Sequence, residues 1–521
     1  MENQNQNMKH ILIVPDKFKG SLTSLQAAQA IRAGFERQEQ AACQAGAEVA
    51  AGATEGACAA SASPRYSFQL VEIADGGDGS LDVVAGRVNS PKKVSVQVHD
   101  PLFREVTSQI LLYGGNSVAG GDGFDAGGGI SQGRADFEAD SRPEFCGDVF
   151  RAELGTDSRS EGCDDAFRAD IGPNSRSNLS DSITRADFSS DSRSVLLGQE
   201  KGAEFEQLSR PEPRPTSCLE QQHLSSQAHQ QKNTPLYAFI EMAKISGLAM
   251  LDKSERNPLN TSTYGLGEAI CIARGMGAKK ITLSIGGSAT DDCGAGMLQA
   301  LGFEFFNRAG ELIPAPICGK DLQDIGSIDF PDEPIGCRIE VICDVDNPLL
   351  GENGATAVYA PQKGATPEAL VQLEKGKANM AEVAERCLHI FPQMKLLPGA
   401  GAAGGVGYAG TAFLGGKLLS GWRFFTEITS LEEKVQWADV VVTGEGSVDS
   451  QSLSGKIVGG IMELARKWGK PVEIFCGISS LEQLPQGVRC HSLVSIEPDT
   501  QICMTRAAGL LERLAEGVEL E

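Results

Sequence analysis

Five short apolar runs in this chain each end in a loop that combines glycine with carboxylates. Residues 10–14 (HILIV) lead into Pro15 and Asp16, and residues 68–74 (FQLVEIA) into Asp75, Gly76, Gly77, Asp78 and Gly79. Residues 281–285 (ITLSI) lead into Gly286, Gly287, Ser288, Thr290, Asp291 and Asp292. Residues 338–343 (RIEVIC) lead into Asp344 and Asn347, and residues 438–442 (ADVVV) into Gly444, Glu445 and Asp449. Glycine lets backbone N–H groups come close to an anion, and a following helix adds a favourable dipole. Carboxylates beside such loops would repel a phosphate unless a cation lay between them. Mg²⁺ resolves that conflict, because it takes one or two carboxylates together with phosphate oxygens. A carboxylate at the same place can accept the proton of an attacking hydroxyl. The composition of the loops therefore points to phosphoryl transfer from a nucleotide.

Other chemistries fit poorly. Gly455 and Lys456 are followed by Ile457 and lack the upstream glycine of a P-loop. A G-x-G-x-x-G spacing occurs at Gly399, Gly401 and Gly404, but no well-placed acidic residue follows it. Close packing or a ligand-facing turn at Gly404 and Gly405 is the better expectation. The six histidines show no metal-ligand spacing, which argues against zinc and against a His-based triad. Ordinary roles compete at each carboxylate. Asp16 and Asp75 are also what helix caps look like, and Asp344 and Asn347 suit Asx turns.

The elements that must position these loops follow from the same runs. Continuous β-branched stretches of this length are typical of strands buried on both faces. After the first run, residues 23–37 open with the capping-box spacing of Thr23 and Gln26 and place Leu25, Ala28, Ile31 and Phe35 along one side. Residues 294–301 and 455–467 repeat the sequence of loop then helix. Strand, glycine loop and helix in succession predict an α/β fold with mostly parallel sheets, whose ligands bind at the carboxyl ends of the strands.

The chain has 521 residues, 41% of them apolar, which is ample for a sizeable core. Lys and Arg number 46 against 69 Asp and Glu, a net charge of -23. That excess repels nucleic acid and anionic membrane surfaces, so neither is an expected partner. No apolar run is long enough to span a bilayer. The polar N-terminus lacks an apolar signal core, so a cytoplasmic location is expected. The fourteen cysteines include no C-x-x-C pair and read as reduced residues.

Two stretches break the pattern. From about 115 to 234 the sequence turns Gly-, Asp-, Ser- and Arg-rich and carries four 17-residue repeats beginning at Arg134, Arg151, Arg168 and Arg185. Each copy holds too few large apolar residues to offset the entropy of ordering it, so a disordered insertion is expected. A polar and Ala/Gly-rich stretch over 38–64 reads as a second, shorter loop insertion. Surface-loop insertions cost little, since closure entropy rises only logarithmically with length.

Eight motifs appear in order: KHILIVPDKFKGSLTSLQAAQAI from Lys9, IADGGDGSLDVV from Ile73, ERNPLNTSTYGLGEAI from Glu255, IGGSATDDCGAGMLQALG from Ile285, CDVDNPLLGENGA from Cys343, APQKGAT from Ala360, PGAGAAGGVG from Pro398 and VTGEGSVDSQSLSGK from Val442. Together they resemble the bacterial glycerate kinase family of the glycerate 2-kinase type, over about residues 8–477. Met8 matches the usual start of that family, which makes residues 1–7 an expected extension.

The resemblance implies ATP-dependent phosphorylation of D-glycerate, on the 2-hydroxyl to give 2-phosphoglycerate, with Mg²⁺. The 3-hydroxyl, another small hydroxy acid, or a pseudokinase that only binds small anions are the competing readings, and homo-oligomerisation is left open. It also implies two α/β domains around a cleft. One is Rossmann- or flavodoxin-like and discontinuous (8–90 and 400–521); the other, 91–399, has a different α/β core and carries the 115–234 insertion. Carried onto this chain, the catalytic candidates are Asp292, Lys19 and Asp75. The substrate- or nucleotide-binding candidates are Asp16, Gly76, Gly77, Gly286, Gly287, Ser288, Thr290, Gly404, Gly405, Gly444 and Lys456. Asp344, Glu445 and Asp449 are the metal candidates. Three positions depart from the family's commoner pattern: Asp78 for Glu, Asp291 for Asn, and Ser447 for Arg. Asp291 adds a negative charge beside an anion loop, with weaker anion binding or tighter metal binding as the expected effect. Ser447 removes a clamp for phosphate or carboxylate.

Overall fold

The computed structural model of the chain describes residues 8–51, 65–114, 235–450, 452–453, 457–481 and 483–520. The 115–234 insertion with its repeats, residues 52–64 of the shorter stretch, and Lys456 lie outside the described residues.

Thirteen strands form three sheets among the described residues. In chain order they are β1 (Lys9–Ile13), β2 (Tyr66–Leu70), β3 (Lys92–His99), β4 (Glu105–Gly114), β5 (Leu236–Glu241), β6 (Ala278–Ser284), β7 (Glu304–Asn307), β8 (Ile325–Asp329), β9 (Arg338–Ile342), β10 (Lys417–Leu419), β11 (Val440–Val448), β12 (Val472–Ser479) and β13 (Val488–Ser492). The first sheet has the order β13-β12-β11-β1-β2, and every pairing in it is parallel. The second has the order β10-β9-β6-β5-β4-β3; its first four strands are parallel, and β4 and β3 extend it as antiparallel strands. β7 and β8 make a separate antiparallel pair. The expected α/β class is what the chain adopts.

Side-chain alternation explains how the sheets stack. In β1, Ile11 and Ile13 pack with Ile31 and Phe35 of the helix Ser24–Ala51 and with Leu511 of the helix Ala507–Glu516. Leu12 and the adjoining Val14 point the other way, into a layer with Leu81, Phe425 and Ile461. That layer also contains Leu111, Tyr113, Phe239 and Ile342 of the second sheet, so the two sheets share an apolar core. Their neighbours Ile110, Leu112, Ala238 and Ile240 face a third cluster with Ile270, Met297 and Val406. A period of two thus gives each sheet two buried faces.

The first helix begins as expected. Thr23 N–H donates to Gln26 Oε1 (3.0 Å), and Gln26 N–H donates back to Thr23 Oγ1 (3.2 Å). Two expectations need correction. Leu25 is 38% exposed, because Ala27 and Ala28 rather than Leu25 begin the buried stripe. The stretch from residue 38 does not start a loop: the helix runs on to Ala51. Ala and Gln are good helix formers, and Gln38 is tied by its amide to Glu516 O and Val518 O at 3.1 and 3.0 Å. Gly34 lets this helix cross the last one, since a Cβ there would lie 2.2 Å from Glu512 O.

The expected return to the first sheet at residue 400 also comes too early. β10 pairs with β9, and Val406, Tyr408 and Ala409 pack in the cluster of the second sheet. The chain rejoins the core it shares with the first sheet at Leu419 and then through Phe425 of the helix Gly421–Ile428.

The long insertion leaves and returns at one hairpin. β4 and β5 are antiparallel, with Tyr113 opposite Tyr237 and Gly114 opposite Leu236. Replacing residues 116–233 by a short Gly/Ser linker should therefore leave the fold intact. It should raise stability by at most about 2 kcal/mol from the shorter closure. Urea unfolding of the two forms checks this, and insoluble or unfolded protein would show that the segment supports the sheets.

Candidate active site

The carboxyl ends of the parallel strands of the two larger sheets meet, and they meet through glycine. The Gly286 N–H, just past β6, donates to Gly76 O, past β2, at 3.0 Å. A Cβ on Gly286 would lie 2.7 Å from Gly77 Cα, and one on Gly76 would lie 2.9 Å from Ile342 Cγ2 at the end of β9. Gly76 also has φ of 83°, a conformation that glycine adopts without strain. Gly421 completes the junction: a Cβ there would lie 2.6 Å from Asp344 Oδ2 and 3.0 Å from Asp75 O. Loops after β2, β6, β9 and β10 therefore converge with no room for side chains between them.

Beside this junction stand Asp16, Asp75 and Glu445, with Lys17 among them. Asp16 is held after β1 by its N–H, which donates to Gly444 O at 2.7 Å. Burial, then repulsion from Asp75 and Glu445, pushes the Asp16 carboxyl up to about 6, although Lys17 opposes the shift. Lys17 Nζ lies 3.4 Å from Asp75 Oδ1, and that same oxygen accepts the Gly77 N–H at 3.1 Å. The Asp75 side chain stays 41% exposed, so it is open to a ligand. Gly444 sits inside β11, where a Cβ would lie 1.8 Å from Phe475 O, so strand packing requires its glycine.

The metal candidates do not gather into one set. Asp344 accepts the Trp422 N–H (3.1 Å) and the Ser420 hydroxyl (3.3 Å), capping the helix Gly421–Ile428. Burial raises its carboxyl, and Asp75 adds to the effect. Asp449 Oδ1 accepts the Ser452 N–H at 2.9 Å, while Ser452 Oγ accepts the Asp449 N–H at 3.2 Å. Among the described residues no three His, Cys, Asp or Glu side chains are grouped to hold a metal ion. Asp344 thus caps a helix rather than making the expected Asx turn, and Asp449 sits in a turn.

The loop from Gly286 to Asp292 rests on buried charge. Gly287 has φ of 74° and is exposed, while Ser288, Thr290, Asp291 and Asp292 are buried. Lys363, from the APQKGAT motif, donates to Ser288 Oγ (3.0 Å) and Thr290 O (2.7 Å). Burial pushes its ammonium down to about 8, against the attraction of Asp291. Asp291 Oδ1 lies 2.7 Å from Lys377 Nζ with both side chains fully buried, and Lys377 also donates to Thr356 Oγ1 at 2.7 Å. The extra charge of Asp291 is therefore neutralised from behind, rather than presented to an anion or a metal.

Asp292, expected as a catalytic residue, has both carboxylate oxygens hydrogen-bonded within the fold. Oδ2 accepts the N–H and the hydroxyl of Thr263, both at 2.7 Å, and the Gly296 N–H at 3.2 Å. Oδ1 accepts the Gly294 N–H at 3.2 Å. Burial raises its carboxyl, these bonds oppose the rise, and the side chain is fully buried. Asp292 ties the start of the helix Ala295–Ala300 to Thr263. Gly404 and Gly405 likewise back the loop: a Cβ on Gly404 would lie 2.3 Å from Thr290 O, and one on Gly405 2.8 Å from Cys293 Cα. Lys19 is exposed, and it is Lys17 that reaches Asp75. Nothing in the sequence sets Lys17, Lys363 or Lys377 apart from surface lysines, except that Lys17 directly follows the strand-end Asp16.

Fold and junction together define an α/β protein whose glycine loops and carboxylates meet at the carboxyl ends of two sheets. A model of the glycerate kinase family matches residues 11–122 and 210–520, and the chain belongs to that family. It is 45% identical to the glycerate 2-kinase of Escherichia coli strain K12 over 238 residues, 45% of this chain and 61% of the relative. It is 40% identical to the glycerate kinase of Halalkalibacterium halodurans over 290 residues, 54% of this chain and 75% of that relative. A crystal structure of a protein provisionally assigned as glycerate kinase 2, from Salmonella typhimurium LT2, is 27% identical with a TM-score of 0.57 and covers 98% of this chain and 97% of its own.

The buried pair yields a prediction. Asp291→Asn should destabilise the chain by about 3–5 kcal/mol, because Lys377 is left as an uncompensated buried cation. Adding Lys377→Met should restore most of that loss. Urea unfolding of the single and double variants measures it; additive losses would show that the two side chains do not act as a pair.

Proposed function

We propose that this chain phosphorylates D-glycerate with ATP on the 2-hydroxyl, releasing 2-phosphoglycerate and ADP, with Mg²⁺ as cofactor. The supporting observation is the backbone contact of Gly286 with Gly76, which brings an anion-compatible glycine loop against a cluster of carboxylates. Glycerate as the substrate, and the 2-hydroxyl as the position, rest on the names of the relatives and on the family.

The roles follow from accessibility and charge. The exposed turn at Gly287, beside the closed Gly286–Gly76 contact, is where phosphate oxygens would lie. Asp75, exposed and beside both loops, accepts the proton of the glycerate hydroxyl as that oxygen attacks the terminal phosphorus. Lys17, rather than the catalytic candidate Lys19, would face the carboxylate of glycerate or a phosphate. Asp16 and Glu445 fit a hard divalent cation: both are oxygen donors, and their mutual repulsion contributes to the raised Asp16 carboxyl. When bound there, Mg²⁺ would neutralise charge on the transferring phosphates.

A coupled assay with purified protein, ATP, Mg²⁺ and D-glycerate, resolving 2- from 3-phosphoglycerate, tests this reading. Turnover should need all three, and excess chelator should abolish it. Asp75→Asn should lower kcat by about 10²-fold or more while leaving the unfolding midpoint unchanged. Near-native kcat in that variant would remove Asp75 from the chemistry, and 3-phosphoglycerate as product would overturn the choice of hydroxyl.

A further inference from the structure

We propose that Cys476 and Cys490 form a dithiol site that low-molecular-weight disulfides oxidise to an internal disulfide. The site is independent of the phosphorylation reading. Cys476 lies in β12 and Cys490 in β13, the strand at the edge of the first sheet. Ile474 pairs with Cys490, and Cys476 pairs with Ser492. Both cysteines therefore point to one face, on a diagonal of the ladder. Their Sγ atoms are 3.7 Å apart, within thiol hydrogen-bond distance and not covalently joined. A disulfide needs about 2.05 Å, so the sulfurs must approach by under about 2 Å to join.

The two thiols are unequal. Cys476 is fully buried, whereas Cys490 is half-buried. Hydrogen bonds from the Cys476 thiol and from Ser479, with the nearby His491, hold the Cys490 thiol below its ordinary range. Cys490 is thus the accessible nucleophile and Cys476 the resolving thiol.

The chemistry is thiol–disulfide exchange. The Cys490 thiolate attacks one sulfur of the small disulfide, forming a mixed disulfide and releasing one small thiolate. Cys476 then loses its proton and attacks the Cys490 sulfur, expelling the second small thiolate. The two protein thiols are oxidised, the small disulfide is reduced to two thiols, and the protons given up by the cysteines end on those thiols. Cys476 pairs across the ladder with Glu445 of β11, so the new bond would form one strand away from the carboxylate cluster.

The test uses reduced full-length protein incubated with oxidised glutathione, blocked with an alkylating reagent and digested with trypsin. Cleavage separates the cysteines into peptides 468–489 and 490–506, and the second also contains Cys503. The expected product is the two peptides cross-linked, about 2 Da lighter than their sum, with fragment ions placing the bond at Cys490. Cys476→Ser should trap glutathione on Cys490, and Cys503→Ser should leave the cross-link in place. A bridge to Cys503, or glutathione that stays on Cys490 of the unsubstituted protein, would overturn the proposal. So would full alkylation of both thiols after oxidation. Because the unsubstituted protein is itself mapped, a variant that fails to fold leaves the test intact.

Discussion

Two backbones can approach to hydrogen-bond distance across a domain-scale junction only where no Cβ stands between them. The Gly286 to Gly76 contact is that approach, and the rest of the structure is arranged around it. Each sheet supplies one partner from the carboxyl end of a parallel strand, the end where α/β proteins bind ligands. The apolar layer of Leu12, Leu81, Phe239 and Ile342 lies between the same two sheets. Hydrophobic burial holds the sheets together, and glycine sets how closely their loops meet. An alanine at either position would push apart the elements that carry the carboxylates.

The second constraint is charge without solvent. Asp291, Asp292, Lys363 and Lys377 are all essentially buried, two carboxylates and two ammonium groups under one loop. Such groups persist only when paired and hydrogen-bonded, because the desolvation cost is otherwise too large. Here Lys377 pairs with Asp291, Lys363 holds Ser288 and Thr290, and Asp292 is filled by N–H groups and a hydroxyl. The loop is thereby fixed from beneath, while Gly287 is left exposed at its tip.

Much of this was legible before any coordinates. The β-branched runs became strands of parallel ladders, and the Thr23–Gln26 spacing became a reciprocal cap. Those features are local, and local patterns survive folding. What could not be read was which carboxylate faces outward. Asp75 opens one glycine loop and Asp292 ends another, yet one is open to solvent and the other is enclosed by Thr263, which lies 29 residues away in sequence. Buried lysines were invisible for the same reason, since a lysine in a polar helix reads as surface until a carboxylate is placed against it. The boundary near residue 400 was misplaced because β10 is only three residues long and carries little pattern of its own.

The hairpin of β4 and β5 has a consequence for how the chain assembles. In most proteins two antiparallel neighbours in sequence form an early, local contact. Here the partners Tyr113 and Tyr237 are separated by more than a hundred residues, so their pairing is long-range in sequence although it is adjacent in topology. Closing so large a loop is slow compared with zipping a short turn. The order of events therefore shifts. Closure entropy alone favours pairing β5 with β6, and β3 with β4, each on its own side of the insertion, over pairing across it. The β4–β5 turn, normally the cheapest contact in a sheet, is here the one with the largest loop to close.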